Sequence, residues 1–133
     1  MRVRSLVVTA VALCAALVLA ACGQDDFPNN PRPAAPISVS ARIGNDGVSV
    51  GPSSVGAGQA SFTISNQTAD AARIVLEGPT DESSDEIVPN GTGSLDVNLQ
   101  EGDYSVSTGE GGRTTKLVVG PERESSQNQL LLP

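Results

Sequence analysis

The sequence predicts an all-β domain, an antiparallel sandwich or barrel of about seven short strands. Three observations lead there. Apolar and polar residues alternate in short runs, the period-2 pattern of half-buried strands. Turn signals rich in Gly, Pro, Asn and Asp recur about every 8–12 residues. Beyond the first 21 residues, no stretch of about ten residues carries helical periodicity.

The elements follow in order. In "ISVSARI", Ile37, Val39, Ala41 and Ile43 alternate with Ser38, Ser40 and Arg42. The Asp46-Gly47 pair then marks a hairpin turn leading into "VSV". "GPSSVGAGQ" reads as a turn-rich connection. "ASFTISN" places Ala60, Phe62 and Ile64 on one face, and "NQTADA" turns the chain. "ARIVLEG" sets Ile74 and Leu76 inward, "PTDESSDE" is an acidic loop and "IVPNGTG" leads out of it. "SLDVNLQ" alternates through Leu95, Val97 and Leu99. "EGDYSVST" turns at Gly102 and points Tyr104 and Val106 inward. "GEGG" is a flexible loop, and "RTTKLVVG" closes the domain.

Composition narrows the function. The 133 residues suffice for one domain and carry 15 acidic against 8 basic side chains, a formal charge of −7. A surface this acidic repels phosphate backbones, so nucleic acid is not expected as a partner. The chain has no His and no Trp, one Tyr and two Phe. Few aromatic rings argue against a carbohydrate-stacking surface and for a core of Val, Ile, Leu and Ala. Without His, the usual base for a Ser or Cys nucleophile is missing, and Lys116, the sole lysine, has no Ser-x-x-Lys pattern before it. No catalytic residue, cofactor or metal ligand is expected.

The N-terminus reads as a processing signal. Arg2 and Arg4 precede a run over residues 6–21 that is apolar apart from Thr9 and Cys14. The run is about four residues short of the roughly 20 that span a bilayer. A basic start, a short apolar run and small residues at its end describe a secretory signal peptide. The run closes on Leu19-Ala20-Ala21-Cys22, which resembles the bacterial lipoprotein lipobox. That resemblance implies cleavage between Ala21 and Cys22. It also implies that Cys22 carries an S-diacylglyceryl group and an N-palmitoyl chain, holding the protein on the extracytoplasmic face of the cell membrane. Two or more acyl chains make a lasting anchor where one is marginal. Cys14 would be lost with residues 1–21, and loss of Arg2 and Arg4 would make the mature chain more acidic still.

Residues 22–36 would then be the lipidated cysteine and a Pro-rich tether, "GQDDFPNNPRPAAP", which reaches about 40 Å if polyproline-like. The sandwich is expected over residues 37–120, and residues 121–133 as a flexible tail.

The segments "VGAGQASFTISNQT", "IVPNGTGSLDVNLQEGDYSVST" and "TKLVVG" resemble the cupredoxin-like Greek-key sandwich; immunoglobulin-like domains give similar echoes. The cupredoxin resemblance implies copper ligands at fixed places: a His near Ala72, a Cys near Thr108, and a His and a Met between Gly109 and Lys116. Blue-copper chemistry needs two imidazoles and a thiolate, often with an axial Met. This sequence has none of them at those positions.

Three further patterns have plain readings. Asp81, Glu82, Asp85 and Glu86 supply hard-cation oxygens, but lack the spacing of an EF-hand loop and read as a solvated acidic loop. Asn66 and Asn90 match glycosylation sequons and read as turns. Gly109, Gly111 and Gly112 precede no helix and form no phosphate loop. The function expected is that of a non-enzymatic, membrane-anchored binding or interaction module, monomeric, with an envelope protein as partner. Its contact surface would be the loops "NQTADA" and "GEGGRTTK", since loops on a rigid scaffold carry function. The alternative is a metal-handling cupredoxin-class protein that uses oxygen ligands.

Overall fold

The computed structural model describes residues 32–109 and 113–126, all within the compact unit Pro31–Pro133. Cys22, Ala21 and the expected signal peptide lie outside the described residues. The elements named within them are all strands, eight in number: β1 (Ile37–Gly44), β2 (Gly47–Gly51), β3 (Ser54–Asn66), β4 (Val75–Glu77), β5 (Glu82–Ser83), β6 (Thr92–Leu99), β7 (Gly102–Ser107) and β8 (Thr115–Glu122). The fold is all-β, as the alternation predicts.

The strands form one continuous sheet with two leaves that share β3. The first leaf runs β2-β1-β3-β6, and the second runs β3-β8-β7-β4-β5. Most ladders are antiparallel. The two parallel ones, β1–β3 and β3–β8, both involve β3. After the β1–β2 hairpin the chain crosses over and re-enters beside β1 in the same direction, which is the connection a parallel pair requires.

One face of each leaf is buried. Val39, Ala41, Ile43, Phe62, Ile64, Val97 and Leu99 from the first leaf join Ile74, Leu76, Tyr104, Val106, Leu117 and Val119 from the second in one cluster. The period-2 pattern fixes the register, because a one-residue slip would turn the whole apolar set to water. Tyr104 is the largest fully buried side chain, and its hydroxyl accepts a hydrogen bond from the Gln100 N–H at 3.0 Å. A tyrosine that ties back to the backbone just upstream is a recurrent brace of sandwich corners.

The structure differs from the sequence reading at β3. "GPSSVGAGQ" is not a turn-rich connection: the strand starts at Ser54 and runs unbroken to Asn66. The glycines serve a different purpose. The register of the β3–β8 ladder shifts at Gly56/Ala57, where Pro121 has no Cα partner. A proline, lacking an N–H, is tolerated at such a bulge. Gly58 follows with φ +118°, a conformation that disfavours other residues, and there β3 leaves the second leaf for the first.

Arg123 lies across this junction. Its Nε donates to Ala57 O (3.2 Å), Nη2 to Gln59 O (2.7 Å) and Nη1 to Ala35 O (2.8 Å). A Cβ on Gly56 would collide with Arg123 Cγ. β8 therefore continues two residues past Gly120, and Arg123, in the segment expected as a tail, joins the chain's entry to β1 with the bend in β3. Arg123→Ala is expected to cost about 2 kcal/mol, since guanidinium hydrogen bonds to backbone are lost at a partly buried site. Urea denaturation checks the value, and faster hydrogen exchange at Val39 and Ala41 should accompany it.

Candidate functional site

One end of the domain holds an open cavity of about 650 Å³. Its lining comes from the ends and starts of several strands: Ile43 and Gly44 close β1, Asn45, Asp46 and Gly47 turn into β2, Thr108 follows β7 and Arg113 precedes β8. Thr68, Asp70, Ala71, Ala72 and Arg73 form another wall, and Glu86 completes the rim. Both loops expected as a contact surface, "NQTADA" and "GEGGRTTK", thus reach the same cavity through their described residues. The β1–β2 turn and Glu86 were not foreseen there.

Asn66 organises the "NQTADA" wall. It ends β3 and is 1 % exposed. Its Nδ2 donates to Asp70 O (2.8 Å), Ile87 O (3.0 Å) and Val88 O (3.2 Å). Its Oδ1 accepts from Thr68 N (3.0 Å) and Thr68 Oγ1 (2.7 Å). Thr68 Oγ1 also meets Asp70 O at 2.9 Å. The backbone adds a reciprocal bridge between Ala72 and Ile87, at 3.0 and 2.8 Å. A loop that would otherwise be mobile is pinned at both ends, so the wall is preorganised. The sequence signal was an Asn-x-Thr at a strand end, the pattern of an Asx-turn, in which the side chain stands in for a backbone acceptor.

The other sequon is also a turn. Gly91 N donates to Val88 O at 3.0 Å, Pro89 takes the second position and Asn90 sits at φ +55°. Pro followed by a left-handed Asn is the type II arrangement.

The opposite wall is held by packing between β2 and the start of β8. Thr115 Oγ1 donates to Val48 O, and the backbone at Gly47 approaches Arg113 so closely that a Cβ there would lie 2.8 Å from Arg113 Cβ.

The charges around the cavity are mixed. Arg42 pairs with Asp46 at 3.5 Å and Arg73 with Glu86 at 3.6 Å, both solvent-exposed. Asp70 and Arg113 form no ion pair among the described residues. Among the described residues, the lining thus has one carboxylate and one guanidinium outside these pairs, and no aromatic side chain.

The acidic loop does not act as a unit. Asp81 Oδ1 accepts the Gly78 N–H at 3.0 Å and closes a turn, while Glu86 faces Arg73. Ser84 is buried between them: its Oγ accepts from Ile74 N (3.1 Å) and donates to Asp85 O (2.8 Å). Among the described residues, no three His, Cys, Asp or Glu side chains come together in a way that could hold a metal ion. The positions where the cupredoxin resemblance places copper ligands, Ala72, Thr108 and the stretch containing Arg113, border the same cavity. No protein-family model matches the chain, and no curated protein matches it.

Proposed function

We propose that this protein is a lipid-anchored, non-enzymatic binding module on the extracytoplasmic face of a cell membrane, built on a cupredoxin-like sandwich whose metal end has become a protein-contact surface. The observation that carries the reading is the position of the cavity relative to the chain's entry. β1 begins at Ile37, where the proposed tether would join the domain, and ends at the cavity rim. Eight strand residues extend about 25 Å, so the cavity lies at the far end of β1 from Ile37. A domain tethered through residues 22–36 would hold such a surface outward, toward other envelope proteins. The convergence of Ala72, Thr108 and Arg113 supports the cupredoxin-like origin.

The test is site-specific photo-crosslinking in cells. A photoreactive residue at Thr68 or Thr108 is expected to give one discrete protein adduct, and one at Gln59, near the tether end, none. Adding Asp70→Lys and Arg113→Glu reverses the two lining charges that form no ion pair among the described residues, and is expected to reduce the adduct about tenfold, the scale of a mismatched charge pair at a contact. Equal adducts from both ends, or no response to the reversal, would contradict the reading.

A further inference from the structure

Long flat sheet edges invite pairing with another strand, and proteins blunt them with short strands, bulges, Pro, Lys or a covering segment. Three edges here are blunted. β5 is two residues long. β2 is met by Thr115 Oγ1 on Val48 O. The β3 end in the second leaf carries the bulge and lies under Arg123. β6 is different. It spans eight residues without Pro or Lys, and its ladder to β3 runs without a bulge from Gly58↔Leu99 to Ser65↔Thr92. Among the described residues, no strand pairs with its other side.

The orientation of that edge follows from one bond. Asn66 N donates to Gly91 O at 2.9 Å, one step beyond the Ser65↔Thr92 pair. Bonded and non-bonded pairs alternate in an antiparallel ladder. Gly93, Leu95, Val97 and Leu99 therefore bond to β3, and the N–H and C=O groups of Thr92, Ser94, Asp96 and Asn98 point to the open side. Those four residues are all exposed.

We infer that β6 pairs with β6 of a second copy of this chain, antiparallel and centred on Leu95, joining two first leaves into one sheet. Three features select this occupant. Centred on Leu95, each outward residue finds a partner: Thr92 opposite the second copy's Asn98, and Ser94 opposite its Asp96. The hydroxyl of Ser94 then faces the only charge on the edge, as donor to acceptor. Moving the centre by one residue sets the two Asp96 carboxylates opposite each other, or leaves Asn98 beyond the end of the other strand. Finally, Leu95 is only half-buried; at the centre it meets the second copy's Leu95 in a non-bonded pair, where side chains approach most closely. The interface is isologous, as a two-fold dimer requires. It would replace the monomer expected from the sequence.

The test uses the full chain in non-ionic detergent, by sedimentation equilibrium at matched density, with hydrogen exchange on the same samples. The chain is expected to dimerise with rising concentration over about 0.01–1 mM, the weak range for an interface smaller than standard size. Slowed exchange should be confined to Thr92, Ser94, Asp96 and Asn98. Ser94→Asp places like charges opposite each other twice and is expected to weaken the dimer about tenfold, whereas Ser94→Lys is expected to tighten it several-fold. Ser94 is solvent-facing, so each variant should keep the parent's unfolding midpoint at concentrations where the chain is monomeric. Association that ignores both substitutions would mean contact through another region and would overturn the inference. So would edge amides protected at every concentration in a monomer, which would show another part of the chain covering β6.

Discussion

Asn66→Ala is expected to destabilise the domain by about 3 kcal/mol and to lower its melting temperature by about 15 °C. The magnitude follows from what is left behind. The side chain is buried and serves three carbonyl oxygens, of Asp70, Ile87 and Val88, and two donors on Thr68. Removing one partner from a buried polar group costs about 1–3 kcal/mol per group left unsatisfied, more than the net worth of an intact hydrogen bond. Water can reach the exposed side of the loop, so the groups deepest in the site dominate the loss. Asn66→Asp keeps the shape but turns a carboxylate oxygen toward those carbonyls, and its effect should be at least as large. Thermal unfolding followed by circular dichroism measures both. A loss under about 1 kcal/mol would mean that the loop rests on its backbone bridge alone. Because Asn66 shapes one wall of the cavity, the variants should also lose the adduct from Thr68 while the far end of the domain stays folded.

Tyr104→Ala is expected to cost about 4 kcal/mol, the range for removing a buried aromatic ring. The ring is 1 % exposed and packs against the backbone at Gly78, where a Cβ would lie 2.8 Å from Cδ1. Tyr104→Phe separates the ring from its hydroxyl. It leaves the Gln100 N–H without its acceptor, but Gln100 is exposed and water can replace the bond. That change should cost only about 1 kcal/mol. The ratio of the two values decides whether packing or the corner hydrogen bond holds β6 and β7 together; packing should dominate. Folded domains are stable by about 5–15 kcal/mol, so Tyr104→Ala should leave a partly unfolded population at physiological temperature.

Much of the fold was legible because alternation and burial coincide. Val39, Ala41 and Ile43, Phe62 and Ile64, Val97 and Leu99, and Tyr104 and Val106 all lie inward as their spacing predicts. The first half of β3 was not legible. Val55, Gly56, Ala57 and Gly58 read as a turn because glycine usually marks one. Here Gly56 makes room for Arg123, and Gly58 supplies the positive φ at the bend. The partner that gives these glycines their meaning lies more than sixty residues away in sequence, and no local pattern announces it. β5, two residues inside an acidic loop, was hidden for a related reason: Glu82 and Ser83 are both exposed and leave no apolar trace.

The candidate site was legible in part. The loops after β3 and before β8 stand out as polar segments between alternating runs, and both reach the cavity. The contributions of Asn45, Asp46 and Glu86 depend on which strand ends the topology brings together, which the order of elements does not reveal. Asn66 was visible as a turn former. Its burial, and so its role as the post for one wall, depends on Ile87 and Val88 arriving from the far side of the acidic loop.

The proposed function places the domain at a membrane through Cys22. Mass spectrometry of the intact N-terminal peptide from the native, membrane-extracted protein tests this most directly. The predicted result is a chain beginning at Cys22, its sulfur joined to a diacylglyceryl group and its amine acylated, with Cys22→Ser releasing the protein from the membrane fraction. A mature chain carrying an unmodified Cys22, or one still joined to Ala21, would contradict it.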